Sequence, residues 1–350
     1  MTGKIYHIVP LCLLCICFIT GCTKHTEVQS QREETEDKKI EIGIIFDSFV
    51  LERWQRDRDV FVAAAQELGA EVNVQHANGD LEEQVAQMDY FIEKKVDVIV
   101  VVMVANKEDP DSLVQAVGRA QKAGIPVVAY DRLILNADVD LYISFDNQQV
   151  GRLMAEHMKE HLGGEGEILQ ICGPMEDYNV PQVMKGFDEV LADTDLEITM
   201  TEHAEGWLGE TGFFTTSSYL LTHTAPDGIM GGNDNIAGHA IRALSERRLA
   251  GDVCVVGQDA DLDACQRIVE GTQCMTVYKP VEKLAKRAAE LSVILAKGEE
   301  VLEKESIYDG SYEVPYERLE PIAVTKENMD EEITGKYHEE SDIYLNIRNK

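Results

Sequence analysis

The sequence predicts an α/β protein made of two doubly wound parallel-sheet lobes in series. Three observations carry this prediction. Short continuous apolar runs rich in Val and Ile recur along the chain. Such runs mark strands buried on both faces, the usual state of a parallel sheet. They alternate with longer stretches of helical period, and the alternation runs through twice. At 350 residues the chain has length for roughly two domains.

In the first half, residues 40–46 form an apolar strand. Residues 52–68 follow as a helix with Val60, Phe61, Ala64, Ala65 and Leu68 on one face. A strand at 71–75, a helix at 81–95 and a β-branched run at 97–103 come next. A helix to Lys122 and a strand at 125–129 close this half. In the second half the strands fall at 167–172, 196–201, 228–230 and 253–257. Helices fall near 147–161, 180–192, 209–222 and 234–248. The charged tail after Thr325 reads as peripheral.

Residues 1–21 read as a signal peptide. Lys4 is a thin basic start, and the apolar run 8–20 is too short to span a bilayer. The run ends in Ile19-Thr20-Gly21-Cys22, which resembles the lipobox of bacterial lipoproteins, so Cys22 is the expected lipidation site. Residues 22–38 are polar and aperiodic and read as a flexible tether. The expected location is extracytoplasmic, lipid-anchored to the outer face of the cytoplasmic membrane or periplasmic.

The chain carries 32 Lys+Arg against 64 Asp+Glu, a net charge of −32. That charge excludes a nucleic-acid binder, which needs clustered cations. Past the signal and Cys22 only Cys172, Cys254, Cys265 and Cys274 remain. Cys172 and Cys254 end or open strands and read as small buried residues. A Cys265–Cys274 bridge is one option. The cysteine spacings match no zinc pattern, and the nine His are scattered and read as surface residues. No G-x-S-x-G, H-E-x-x-H or P-loop is present, so neither catalysis nor a cofactor is indicated. Asp259, Asp261, Asp263 and Glu270 have calcium-loop spacing, but Ala264 stands where the sharp turn needs Gly.

In open α/β sheets a ligand binds beyond the carboxyl ends of the strands. The residues there are polar and charged: Asp47 and Arg53-Trp54, Asp131-Arg132, Asn179, Trp207, Asn233-Asp234, Gln258-Asp259 and Lys279. Both Trp of the chain are in this set. An indole face packs on the C–H face of a pyranose, while carboxylates, amides and cations hydrogen-bond its hydroxyls. The pattern fits a neutral, hydroxyl-rich ligand. The bland alternative is that both Trp are core residues.

Five separated motifs carry a resemblance. They are Leu51-Glu52-Arg53-Trp54-Gln55, Ala129-Tyr130-Asp131-Arg132, Tyr142-Ile143-Ser144-Phe145-Asp146-Asn147, Gly257-Gln258-Asp259-Ala260-Asp261 and Met275-Thr276-Val277-Tyr278-Lys279-Pro280. In this order they resemble the D-xylose-binding proteins of bacterial ABC transporters, a branch of the ribose- and galactose-type (type I) periplasmic binding proteins. The likeness runs from about residue 40 to about 342. It implies a three-segment hinge, with residues 39–145 plus 279–306 as the N-terminal lobe and 146–278 plus 307–345 as the C-terminal lobe.

The resemblance also implies sugar contacts at Arg53, Trp54, Asp131 and Arg132 in the first lobe, and at Asn179, Trp207, Asn233 and Asp259 in the second. Lys279 would come from a crossing. The implied partners are a monosaccharide, D-xylose before other pentoses or hexoses, and an ABC permease or a membrane sensor kinase or chemoreceptor. Two departures stand out: the loop at 103–110 is longer than the family's, and Val180-Pro181 after Asn179 is unusual. Transcription repressors share this fold but begin with a helix-turn-helix, where this chain has a signal and an acidic-leaning tether.

Overall fold

The computed structural model describes residues 39–106, 110–302 and 305–347. The signal, Cys22 and the tether lie outside the described residues, as do positions 107–109 of the unusual loop. The chain starts with β1 (Glu41–Phe46), α1 (Arg53–Glu67), β2 (Glu71–His76), α2 (Leu81–Lys94), β3 (Val98–Val101), α3 (Asp111–Lys122), β4 (Val127–Tyr130) and β5 (Leu141–Phe145). It continues through α4 (Asn147–Leu162), β6 (Glu165–Cys172), α5 (Asn179–Leu191), β7 (Asp195–His203), α6 (Glu210–Thr222) and β8 (Gly228–Gly231). Then come α7 (Asp234–Glu246), β9 (Cys254–Gln258), α8 (Leu262–Glu270) and β10 (Met275–Tyr278). The last elements are α9 (Val281–Ala296), β11 (Ser306–Tyr308), β12 (Glu313–Leu319), β13 (Ile322–Val324), α10 (Met329–Glu332) and α11 (Glu340–Ile343).

The strands make two sheets. The first has the order β11-β12-β5-β4-β3-β1-β2 and the second β13-β10-β9-β8-β6-β7. Pairing is parallel except at two edges, where β11 and β13 run antiparallel to their neighbours. The first sheet is covered on both faces. Ile45, Ile99 and Val101 pack under α2 and α3, while Ile42, Ile44 and Val100 pack under α1 and α9. This is why β3 and β4 are wholly apolar rather than alternating.

Side chains set the helix starts. Asp80 accepts from the Glu83 amide at 3.0 Å to cap α2, and Asp146 accepts from the Gln149 amide at 2.8 Å to cap α4. Gly163, at φ 73°, ends α4. Helices α4 and α5 touch through glycines. A Cβ on Gly151 would lie 1.9 Å from the Val183 carbonyl oxygen, and one on Gly186 would lie 1.8 Å from that of Gln148.

Three segments cross between the lobes: Asp146, Lys279-Pro280 and Glu320-Pro321. The third crossing corrects the sequence reading, which puts 307–345 in the second lobe. Residues 306–319 are instead β11 and β12 of the first sheet, with Tyr316 paired to Tyr142 and Leu319 to Phe145. The strand Glu-Val-Pro-Tyr-Glu-Arg-Leu lies near the sheet edge and buries only Val314 fully, so no apolar run marks it. The tail is also less peripheral than expected. Met329, Ile333, Tyr337 and Ile343 are buried against Cys265, Ile268 and Tyr278. The four described cysteines are free. Cys265 Sγ faces the Ala260 carbonyl at 3.5 Å, while Cys274 lies with Cys254. The calcium-like stretch is taken up by α8.

Among the described residues, no helix is long and apolar enough to cross a membrane. The glycine contacts yield a stability prediction of opposite sign at two sites. Gly186→Ala lowers unfolding free energy by about 1–3 kcal/mol through overpacking. Gly118→Ala, a helical site with open space around the added methyl, raises it by about 0.5–1 kcal/mol. Urea denaturation of both variants is the check; equal effects would contradict the helix contact.

Candidate functional site

The carboxyl ends of both sheets face one another, and the loops there line one narrow space between them. Its walls come from both lobes and from the crossings. The first lobe contributes Leu51, Arg53, Trp54, Asp131 and Arg132. The second contributes Asp177, Asn179, Trp207, Gln258 and Asp259. Asn147 and Lys279 stand beside crossings. Eight of the nine residues named from sequence therefore line one space.

Asn233 is the exception. Its side-chain oxygen accepts from the Ile236 amide at 2.9 Å and caps α7, and the residue is not among the lining. Extended backbone at a helix start favours Asn for capping, so its strand-end position has a local explanation.

Arg53 is the centre of a buried charge cluster and is only 2% exposed. It holds Asp57 through two contacts of 3.3 Å, Asp131 at 3.1 Å and Asp259 at 4.0 Å. Asp57, one helical turn on, also accepts from the Tyr130 hydroxyl. Lys279 Nζ lies 2.7 Å from Asp259 Oδ1. Arg132 is paired with Asp47, donates to the Met103 carbonyl at 2.9 Å, and meets Asp177 across the lobes at 2.6 Å. Trp207 donates from its indole nitrogen to the same Asp177 at 3.2 Å. Asn179 donates to the Asp131 carbonyl at 3.1 Å and accepts from Asn147 at 2.9 Å.

Burial raises the pKa of Asp57 and of Asp177, and their arginine partners only partly offset it. Burial acts on Asp131 too, but Arg53, Lys279 and Arg132 together outweigh it and hold this carboxyl below the usual range. Asp131 is thus a firm acceptor at neutral pH.

The indoles are placed differently. Trp54 is fully buried, with the Arg53 guanidinium 4.4 Å and that of Arg132 5.6 Å from its ring centre. Trp207 lies against Gly173, where a Cβ would come within 2.4 Å of the ring. Four buried polar atoms in the lining have no hydrogen-bond partner among the described residues; Arg132 Nε and Asp259 Oδ1 sit in ion pairs, which leaves Trp54 Nε1 and Gln258 Oε1. A hydroxyl-bearing ligand supplies both an acceptor and a donor for such atoms.

Asp131, Trp207 and Asp259 have left-handed backbone, with φ of 65°, 60° and 102°. Such strain at non-glycine residues persists only where the surroundings fix it. Asp131 is held by its amide on Ile143 and by Ser144 Oγ, which donates to its carbonyl at 2.7 Å. The Asp259 turn is held by Asp234. That buried carboxylate accepts from the Asp261 amide at 3.1 Å, from Thr276 Oγ1 at 2.7 Å and from Gln273 Nε2 at 2.8 Å, and Thr276 accepts from the Ala260 amide.

Sequence reasoning missed Asn147, Asp177 and the supporting Asp57, and it placed Gln258 at a strand end without naming it a sugar contact. Asn147 and Gln258 sit inside quoted motifs. Asp177 is two residues before Asn179. Asp57 is found only from its i, i+4 relation to Arg53. His338, read as a surface residue, is half-buried and pairs its Nε2 with the Ala260 carbonyl at 2.8 Å.

Asp234 carries a pH prediction. Burial first, with Asp259 adding to it, pushes its pKa up to about 7, against the pull of Arg267 and Thr276. The neighbouring Asp261 is also raised, by burial and then by Asp234. A carboxyl with a raised folded pKa binds more protons folded than unfolded. Its contribution therefore favours the fold below the ordinary Asp range and is lost as pH rises toward 7. Urea stability measured from pH 5 to 7 should fall less steeply with rising pH in Asp234→Asn than in the parent. An unchanged slope would refute the assignment.

Over residues 42–300 the chain matches the periplasmic binding protein domain family. The D-xylose-binding periplasmic protein of Haemophilus influenzae is 40% identical over 313 residues, 88% of this chain and 93% of that protein. The D-xylose-binding periplasmic protein of Escherichia coli K12 is 39% identical, over 87% and 93%. An ABC transporter solute binding protein from Clostridium phytofermentans, solved with bound β-D-glucose, superposes with a TM-score of 0.78 at 26% identity. That match covers 87% of this chain and 99% of the solved one.

Proposed function

Since the chain belongs to the sugar-binding periplasmic binding proteins, which are solute receptors and not enzymes, we propose that it binds D-xylose between its lobes and delivers it to an ABC permease. The observation that carries this reading is the meeting of Arg53, Asp131, Asn179, Trp207, Asp259 and Lys279 around one space. Xylose is chosen over other sugars because two relatives near 40% identity bear that name over most of this chain. Delivery to a permease rests on the family and on the Clostridium relative, an ABC transporter solute binding protein. Anchoring by lipid on Cys22 rests on the sequence around it.

In this reading the sugar ring lies against the indoles. Asp131 and Asp259 accept from its hydroxyls, while Arg53 and Lys279 donate to its oxygens. Contacts from opposite lobes are made together only when the lobes are closed. Sugar therefore stabilises closure by its preference for that form, and the permease reads the closed form. A sugar lacking one hydroxyl leaves a buried charged group without its partner, which is the source of selectivity.

The test is a tryptophan-fluorescence titration against a panel of pentoses and hexoses, since both Trp border the space. Xylose should give a saturable change with a dissociation constant on the order of micromolar or below. Preference for a hexose would overturn the sugar, and no response to any sugar would overturn the reading. Asp259→Asn keeps the shape but removes the charge. By calorimetry it should weaken xylose binding about 10- to 100-fold, the value of a charge-assisted hydrogen bond, while circular dichroism stays unchanged.

A further inference from the structure

Four sulfur and nitrogen donors gather at the other end of the second sheet, away from the cleft. His157 and His161 stand four residues apart on α4 and so share a face. Cys254 opens β9, and Cys274 immediately precedes β10, which pairs parallel to β9. One ligand atom from each of the four lies within 4.8 Å of every other. Cys254 is buried, Cys274 and His157 are half-buried, and His161 is exposed. The group is thus held by the fold on one side and reachable from solvent on the other.

We propose that these four residues form a binding site for one zinc ion. Thiolate and imidazole together suit zinc, and the set holds no carboxylate that would favour magnesium or calcium. In a tetrahedral zinc site with Zn–S of about 2.3 Å and Zn–N of about 2.0–2.1 Å, the donors stand roughly 3.3–3.8 Å apart. The present spacing closes to that by about 1 Å or less of side-chain movement. Binding forms two Zn–S and two Zn–N bonds and releases the two thiol protons to solvent; nothing is oxidised or reduced. The two thiolate charges balance the ion. Four protein ligands make the site closed and structural, with no position left for a reacting water.

The ion would clip α4 to β9 and β10. Helix α4 is the first element after a crossing, so the clip fixes where the chain enters the second lobe. The site is separate from the sugar contacts. Cys254 and Gln258 are the two ends of β9, about 13 Å apart at about 3.3 Å per residue. The sequence hides the site because the histidine pair and the cysteines are far apart in the chain. Only His157-x-x-x-His161 has a zinc-like spacing, and the cysteines come from the start of β9 and from the residue before β10.

The test uses the full chain, reduced, purified in mild detergent and stripped with a chelator. Cobalt should bind one per chain and give the sulfur-to-cobalt charge-transfer absorption and the strong visible bands of tetrahedral cobalt. One equivalent of zinc should displace it and raise the melting temperature by a few degrees. Cys274→Ser and His161→Ala should each weaken zinc binding about 10-fold or more. His161 is exposed, so its variant keeps the test open if the cysteine variant misfolds. Xylose titration of His161→Ala, with and without zinc, should match the parent, which separates this proposal from the sugar reading. Three results overturn it: no charge-transfer band in the reduced parent, equal cobalt binding by parent and both variants, or an intact Cys254–Cys274 disulfide in chain isolated from the cell envelope, seen as a mass lower by two hydrogens.

Discussion

Arg53 is a guanidinium taken almost wholly out of water, and the cleft is arranged around it. Removing such a charge from water costs several kcal/mol unless partners replace the lost hydration. Its partners come from three segments: Asp57 from its own helix, Asp131 from the end of β4, and Asp259 from the end of β9 in the other lobe. Because Arg53 needs these carboxylates, the turns that carry them are fixed. Two of those turns have left-handed backbone at an aspartate, which relaxed loops seldom adopt. The carboxylates in turn draw in Lys279, and a second cluster of the same kind forms around Arg132, Asp47 and Asp177.

This arrangement links the two lobes without making them one body of core. Each sheet has its own apolar packing, and around the cleft the lobes meet mainly through polar groups, with Leu51 and Tyr178 each also packing on the other lobe's core. Polar contacts between lobes are directional and exchangeable with water or ligand hydroxyls. Apolar contacts of similar area would hold the lobes shut at all times. A receptor that must take up and release its ligand is served by the first kind. The strained turns are supported from behind by groups that do not line the cleft, Asp234 and Ser144 among them, so the lining side chains are left to face the ligand.

Much of this was legible in the sequence, for identifiable reasons. Wholly buried strands such as β3 and β4 write themselves as apolar runs, and α/β connectivity then places the ligand beyond their carboxyl ends. That rule alone selects Arg53, Asp131, Trp207, Asp259 and Lys279. What it cannot weigh is local competition for a side chain. Asn233 stands at a strand end, yet its oxygen is engaged by its own helix. Nor does it see strands without apolar runs: β12, with Pro315 and one fully buried residue, has none, so sequence reasoning places the third crossing too early. Asp57 and Asp177 escape it because their role is to face a cation contributed by another segment or another turn, which no single stretch of sequence records. The tail after Thr325 is charged, but its few apolar residues are spaced to meet α8.

The central claim is that a xylose molecule sits between the lobes with its hydroxyls on this charge cluster. A crystal structure of the chain with D-xylose tests it most directly. The account predicts the sugar ring against Trp207 and Trp54, with Arg53, Asp131, Asp259 and Lys279 within hydrogen-bond distance of its oxygens. A sugar bound elsewhere, or bound in the cleft without contact to Arg53 and the two aspartates, would contradict it.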